Sequence, residues 1–340
     1  MGKGKDEVTY RYTFPLTTNA TEVPVPEKIR LGISSCLLGE MVRYDGGHQL
    51  DRYLRDTLGQ YVEYVPVCPE VEMGLPTPRE TLRLVERDDE ARLVFSKSNE
   101  DITDRMLAWA KKRVKELEEE DLCGFVFKAK SPSSGMERVK LYDRNGVPRK
   151  LGVGMFARVF MEHFPLLPVE EDGRLHDPHL RENFVECIFT FKRWRDTLAK
   201  GRTAANLVDF HTRHKLLIMA HSVEIYRQMG KLVAIAGKAS VDDLFAEYEA
   251  LLMKGMRLRT SVRKQVNVLQ HLLGYFKKQL SADEKQEALE QIELYRNGTL
   301  PLIVPLTLLN HYVRKYWQPY LGQQYYLHPH PVELQLRNHV

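Results

Sequence analysis

Cysteine is scarce in this sequence: four in 340 residues, at Cys36, Cys68, Cys123 and Cys187. Spacings this wide exclude a small disulfide scaffold and a CxxC zinc knuckle. Long apolar runs are missing too. Nothing approaches the roughly 18 uninterrupted apolar residues of a membrane-spanning helix. The opening MGKGKDEVTYRYTF lacks the apolar core of a secretory signal. Residues 1–28 therefore read as a tail, and the protein as cytoplasmic with no membrane partner. No HExxH motif accompanies the 12 histidines, so a zinc hydrolase is not indicated. Net charge is small, +4, but unevenly placed. Residues 191–280 hold 17 Lys and Arg against 7 Asp and Glu, and the rest of the chain sums to −6. A basic half joined to an acidic half suggests a polyanion held by one part and processed by the other. A solvated helical surface would carry the same charges.

What is present is a long chain with two kinds of periodicity. At 340 residues it exceeds what one core usually fills, so two domains are expected. Short apolar runs at 29–35, 61–67, 92–96 and 124–129 read as strands. Helical patterns fall near 49–58, at 101–120 and at 152–164; in the second of these Ile102, Met106, Ala110 and Val114 share a face. From about residue 200 the pattern becomes wholly helical, with one or two helices over 204–234 and further ones at 242–258 and 261–280. Ser281 and Glu284 form a capping box that opens the next helix. These elements predict an α/β N-terminal domain (a mostly parallel, Rossmann-like sheet) over 29–165, a linker over 166–190, and an all-α C-terminal bundle over 191–340.

That architecture gives two of the cysteines meaning. Cys36 and Cys68 each follow a strand directly, as does the loop SPSSG at 131–135. In open α/β sheets, ligands bind in the crevice beyond the carboxyl ends of the strands. Three distant loops are thus expected to meet there, although a buried thiol also serves as a small apolar residue. Arg43, Tyr44 and Asp45 follow the first cysteine, placed to grip a phosphate, stack on a base, or pair with one another.

The segments SSCLLGEMVRYDGG, PVCPEVEMGLPTPRE and KAKSPSSG resemble, in order and spacing, the signature segments of the thiouracil desulfidase family of TudS-like proteins. The resemblance spans about residues 29–165. It implies a 4Fe-4S cluster held by three cysteines, with one iron open to the sulfur of a thiocarbonyl. Cys36 and Cys68 match two of the ligands. The third belongs to a segment that reads SPSCG in the family, and here Ser134 stands in its place. A hydroxyl is a harder and less acidic ligand than a thiol. Cys123, at the far end of its strand, and Cys187, beyond the domain, are not expected to replace it. The resemblance also points to Glu70 as a proton acceptor and Ser131 as a hydrogen-bonding or proton-passing group. For Glu70 the competing role is a loop ion pair with Arg43 or Arg79.

In the helical half, His211, Arg213, His214 and Lys215 cluster within two turns, and His221 shares a face with His214. Lys277 and Lys278 close a later helix. Basic and aromatic groups at these positions suit phosphate and base contacts; satisfied core histidines are the alternative. FHTRHKLLIMAHS, VLQHLLGYFKK, ADEKQE and YLHPHPVEL resemble the helical YbgA-like domain. Its fusion to a thiouracil-desulfidase domain is similar to the RudS-type proteins, which remove sulfur from 4-thiouridine in transfer RNA. The resemblance implies non-redox desulfidation of 4-thiouridine in tRNA, or of a free thiolated nucleotide. RNA would be held through Arg213, His214, Lys215, Lys277 and Lys278. Loss of the third cysteine leaves open a catalytically silent RNA- or nucleotide-binding protein.

Overall fold

The computed structural model describes residues 28–237 and 240–339. The expected tail, apart from Lys28, lies outside the described residues. In chain order the elements are β1 (Ile29–Ser34), β2 (Val62–Val67), α1 (Pro69–Glu72), β3 (Leu82–Arg87), β4 (Glu90–Phe95), α2 (Thr103–Glu118), β5 (Phe125–Phe127), β6 (Val139–Tyr142), β7 (Pro148–Gly152), α3 (Met155–His163) and β8 (Val169–Glu171). The helical half follows with α4 (Pro178–Ala199), α5 (Ala204–His221), α6 (Val223–Ala234), α7 (Val241–Met256), α8 (Val262–Tyr275), α9 (Ala282–Arg296) and α10 (Ile303–Lys315). No helix among the described residues is long and apolar enough to cross a membrane.

The first half holds two sheets. One is wholly parallel, in the order β2-β1-β5-β8. Its central strand, β1, is buried on both faces, as expected where helices cover a parallel sheet. The second is mixed, in the order β4-β3-β6-β7, with two antiparallel hairpins joined by a parallel pairing of β3 with β6. Between this sheet and helices α2 and α3 lies a smaller core that includes Leu84, Leu93, Met106, Val139 and Met155.

Several expectations are met closely. The face of α2 falls where the spacing put it, with Ile102, Met106, Ala110 and Val114 all buried. The 204–234 segment is two helices, broken at Ser222, whose hydroxyl caps α6 by accepting from the Ile225 amide. The Ser281–Glu284 capping box forms reciprocally. Other expectations are corrected. The helix near 49–58 is a brief irregular turn over 53–60. Residues assigned to a linker instead enter both halves: β8 completes the parallel sheet beside β5, and α4 starts at Pro178, capped by Asp177.

α4 joins the halves. Ile188 packs against Gly124, where an added Cβ would lie 2.7 Å from the Ile188 methyl. Further along, Trp194 is fully enclosed, with Tyr248 and Phe245 stacked at 5.1 and 5.6 Å and Phe210 edge-on at 5.0 Å. The core therefore runs without interruption from the parallel sheet into the bundle. A buried set of Arg337 with Glu182 (3.2 Å) and Glu186 (2.7 Å) pins the C-terminal segment onto α4.

Candidate functional site

The topology brings three loops together. β1 and β2 run side by side in register, Ser34 opposite Val67, so the residues after them emerge at one edge of the sheet. The strand order reverses between β1 and β5, which opens a crevice at that edge. Cys36 lies in a single helical turn closed by Gly39, whose φ of 98° is one that L side chains rarely adopt. Cys68 caps α1, its amide donating to Glu72 Oε1 at 2.9 Å. The loop at 131–135 folds on itself through Gly135 N to Ser131 O (2.8 Å). It rests on the start of α3, where the Met155 and Phe156 amides donate to the Pro132 and Ser133 carbonyls at 3.1 and 2.9 Å. A Cβ on Gly154 would lie 2.6 Å from the Ser133 carbonyl group, so this approach needs glycine.

The result is a cleft of about 310 Å³ whose walls include Cys36, Cys68, Glu70, Ser131 and Ser134, with Arg43 and Tyr44 at one side. A line of hydrogen bonds runs along it. Ser131 Oγ accepts from the amides of Ser133 and Ser134 at 3.3 and 3.2 Å and lies 2.9 Å from Ser133 Oγ. Ser133 Oγ in turn donates to Glu70 Oε1 at 2.5 Å. The other carboxylate oxygen of Glu70 accepts from Cys68 Sγ at 3.6 Å and lies 3.8 Å from Arg79 Nη2. Of the two ion pairs considered for Glu70, the structure makes the one with Arg79. Ser134 is buried, and among the described residues its hydroxyl has no hydrogen-bond partner.

Both thiols of the cleft are hard to ionise. Burial pushes Cys36 up to about 11, partly opposed by Lys128. Burial and the Glu70 carboxylate push Cys68 up to about 12. Lys128 is held by Asp172 at 2.7 Å. A metal bound here must therefore displace two protons, and its own charge is what makes thiolates accessible. Among the described residues, no group of three or more His, Cys, Asp or Glu is arranged around an ion. The donor set suits a 4Fe-4S cluster at two positions through sulfur, and at a third only through the unpartnered Ser134 oxygen. Cys123 and Cys187 are buried elsewhere, their thiols donating to the carbonyls of Asp121 and Met256.

Not every candidate reaches the cleft. Asp45 stays in its own loop, accepting from the Gly47 amide at 3.0 Å and lying 3.6 Å from Arg43 Nε. In the bundle, His214 is withdrawn from the expected RNA surface. Its ring is enclosed between Phe210 and Tyr325, with Nδ1 against the Phe210 carbonyl (2.8 Å) and Nε2 accepting from Arg193 (3.0 Å). His211 and His221 are buried as well, the latter 3.0 Å from Glu186. Arg213 pairs with Asp209 at 2.9 Å, and Lys215 lies over the Tyr320 ring at 4.8 Å. Lys277 and Lys278 are exposed. Sequence reasoning missed Ser133, which links Ser131 to Glu70, and Gly154, which seats the loop. Neither position carries a signal apart from its motif.

Residues 31–172 match the family model of 2-thiouracil desulfurase, and residues 215–331 match that of a protein family of unknown function, DUF1722. The Escherichia coli K12 protein YbgA, described as uncharacterized, is 34% identical over 152 residues, 44% of this chain and 90% of its own length. Among solved structures, a 4Fe-4S-dependent thiouracil desulfidase, TudS, matches at 30% identity with a TM-score of 0.37, over 44% of this chain and 95% of its own.

Proposed function

This chain belongs to the YbgA family and carries a 2-thiouracil desulfurase domain in the same polypeptide, and from that premise we propose that the cleft replaces the sulfur of a thiolated pyrimidine by oxygen, with 4-thiouridine in RNA as its substrate. The observation that carries this reading is the convergence of Cys36, Cys68, Glu70, Ser131 and Ser134 on one cleft from three separate loops.

The reaction exchanges C=S for C=O with water as the oxygen source and hydrogen sulfide as the sulfur product, so no electrons are gained or lost. Cys36 and Cys68, with Ser134 in the third position, would hold the cluster. When bound, it supplies a thiophilic Lewis-acidic iron. The chain's own residues manage the protons. Glu70 takes one from the attacking water, because its carboxylate lies on the cleft wall beside Cys68, held there by Ser133. Ser133 donates to Glu70, which leaves Ser131 to donate to Ser133; the amides of Ser133 and Ser134 already fill the acceptor side of Ser131. The two hydroxyls thereby fix the carboxylate at the cleft, and the proton that Glu70 has taken passes back from the same carboxyl to the departing sulfur. Arg79, 3.8 Å away, orients the carboxylate.

The test is loss of thiocarbonyl absorbance from 4-thiouridine and 2-thiouracil with anaerobically reconstituted protein. Glu70→Gln keeps the shape and removes the base, and should lower kcat by about 10²–10⁴-fold at unchanged iron content. Full turnover by Glu70→Gln would remove the carboxylate from the mechanism.

A further inference from the structure

The cleft does not end at Ser131. Tyr44, Thr81, Leu82, Ala129, Lys130 and Pro132 line it and also line a second, open groove of about 1350 Å³ on the outer face of the β4-β3-β6-β7 sheet. This groove is larger than the cavities that usually hold one small molecule. Six cations border it: Arg83, Lys130, Arg138, Lys140, Lys150 and Arg174. Lys130, Arg138, Lys140 and Lys150 are exposed, and none of the four has an ion pair among the described residues. Two carboxylates lie on its wall and both are engaged. Glu137 pairs with Arg174 at 2.9 Å, and Glu171 accepts from the Met136 and Glu137 amides at 2.7 and 3.4 Å.

The strand register makes this more than a scatter of surface charge. Lys140 on β6 stands directly opposite Lys150 on β7. The pairing of Leu84 with Leu141 puts Arg83 of β3 beside Lys140 on the same face. Three cations thus form a row across three adjacent strands, and like charges set opposite each other oppose folding unless an anion joins them. With strands about 4.8 Å apart the row spans roughly 10 Å, wider than a single phosphate group. Tyr142 lies on that face under the Arg83 guanidinium at 5.6 Å, and Tyr44 stands at the junction with the cleft. Lys130 (φ 63°) and Arg138 (φ 55°) both take left-handed backbone that L side chains enter at a cost, which aims these cations from the ends of the SPSSG loop.

We propose that this groove binds the phosphodiester backbone of a polynucleotide and so leads the thiolated base into the cleft. The proposal rests on the desulfidase reading for what happens in the cleft, but binding to the groove is measurable without turnover. It shifts the polyanion surface from the helical half to the face of the second sheet.

Full-length protein is titrated into a fluorescein-labelled single-stranded oligouridine carrying one 4-thiouridine, over a series of salt concentrations, with uridine monophosphate as competitor. For a single strand, log affinity against log salt should fall with a slope of about −0.7 per phosphate neutralised. Lys140→Glu with Lys150→Glu should flatten that slope by about 1.4 or more and weaken binding at least tenfold. Lys140→Arg with Lys150→Arg should preserve it. Lys277→Glu with Lys278→Glu, which changes net charge equally, should have the smaller effect. Unaltered affinity in the Lys140/Lys150 reversal, equal loss in the Lys277/Lys278 control, or salt-independent binding would each overturn the proposal. So would competition by the mononucleotide at oligomer-like concentrations, which would make the groove a single-phosphate site. Retained turnover of free 4-thiouridine by the Lys140/Lys150 reversal, with loss on the oligomer, supports it. Wild-type protein that binds the oligomer with the expected slope but releases no sulfur from either substrate refutes the desulfidase reading and leaves the groove standing.

Discussion

The two halves treat their polar residues in opposite ways. In the α/β half, side chains from three loops face a shared cleft, because parallel strands deliver their ends to one edge. In the helical half, the histidines that looked like a binding face are buried, each with a protein partner: His211 with Tyr248, His214 with Arg193, His221 with Glu186. A residue just after a buried strand has little choice but to meet the other strand ends. A histidine recurring at helical spacing has two choices, solvent or core, and here aromatic stacking and satisfied ring nitrogens favour the core.

The largest consequence of this difference is the acid sensitivity that the bundle owes to its buried histidines. Burial lowers His211 and His330 to about 4 and holds His214 well below its ordinary value. Unfolding lets all three protonate as the pH drops below about 6.5, so native stability falls with pH. Glu182, raised by burial and by the adjacent Glu186, opposes this by holding a proton in the native state. His328 and His339 are lowered by burial as well, so the imidazoles outnumber the one carboxyl and the native state binds fewer protons than the unfolded chain between about pH 6.5 and 4.5, losing stability across that window. In the α/β half His48 and His163 lie at the surface. Urea midpoints at pH 7 and 5.5, followed by tryptophan fluorescence of the protein, check the trend. A flat profile would mean that these rings are not neutral and buried.

A smaller effect is expected from Gly154→Ala, which sharpens the comparison from the other side. The added methyl meets the Ser133 carbonyl group, so the SPSSG loop must shift at a cost of about 1–3 kcal/mol. Turnover should fall more than stability, because Ser131 and Ser133 move with the loop. Equal stability and activity to wild type would show that the loop is not seated on α3 as described.

The smallest change is expected from Ser134→Cys. A thiolate donates to iron more strongly than a hydroxyl and is easier to deprotonate, so iron retention after gel filtration should rise several-fold. No gain in iron or in turnover would mean that oxygen already serves in the third position.

Legibility in the sequence followed the same division. Strands β1 and β2 are short apolar runs, and the motifs after them located Cys36, Cys68 and Glu70 without any structure. Of the second sheet only β4 showed, as the apolar run at 92–96, and its other strands were hidden for particular reasons. The β3–β4 turn uses Asp88 and Asp89, both at positive φ, without the glycine that usually marks such a hairpin. The β6–β7 turn does carry Asn145–Gly146, but β7 exposes Pro148, Arg149, Lys150 and Leu151 and so shows no alternation. β8 reads Val-Glu-Glu, and its buried Glu170 is tolerable because it accepts from Arg174 at 2.6 Å and from the Glu171 amide at 3.0 Å. Arg83, Arg138, Lys140 and Lys150 lay in segments assigned to no strand, so their alignment could not be read from spacing. In the bundle, composition revealed the basic excess but not which side chains were already partnered.

The central claim is that the cleft formed by Cys36, Cys68 and Ser134 is the cluster site. Its most direct test is the iron and acid-labile sulfide content of anaerobically reconstituted wild type, Cys36→Ala, Cys68→Ala and Cys123→Ala. The account predicts iron and sulfide in near-equal amounts in the wild type and in Cys123→Ala, and neither in Cys36→Ala or Cys68→Ala. Iron retained by Cys36→Ala and Cys68→Ala but lost from Cys123→Ala would contradict it.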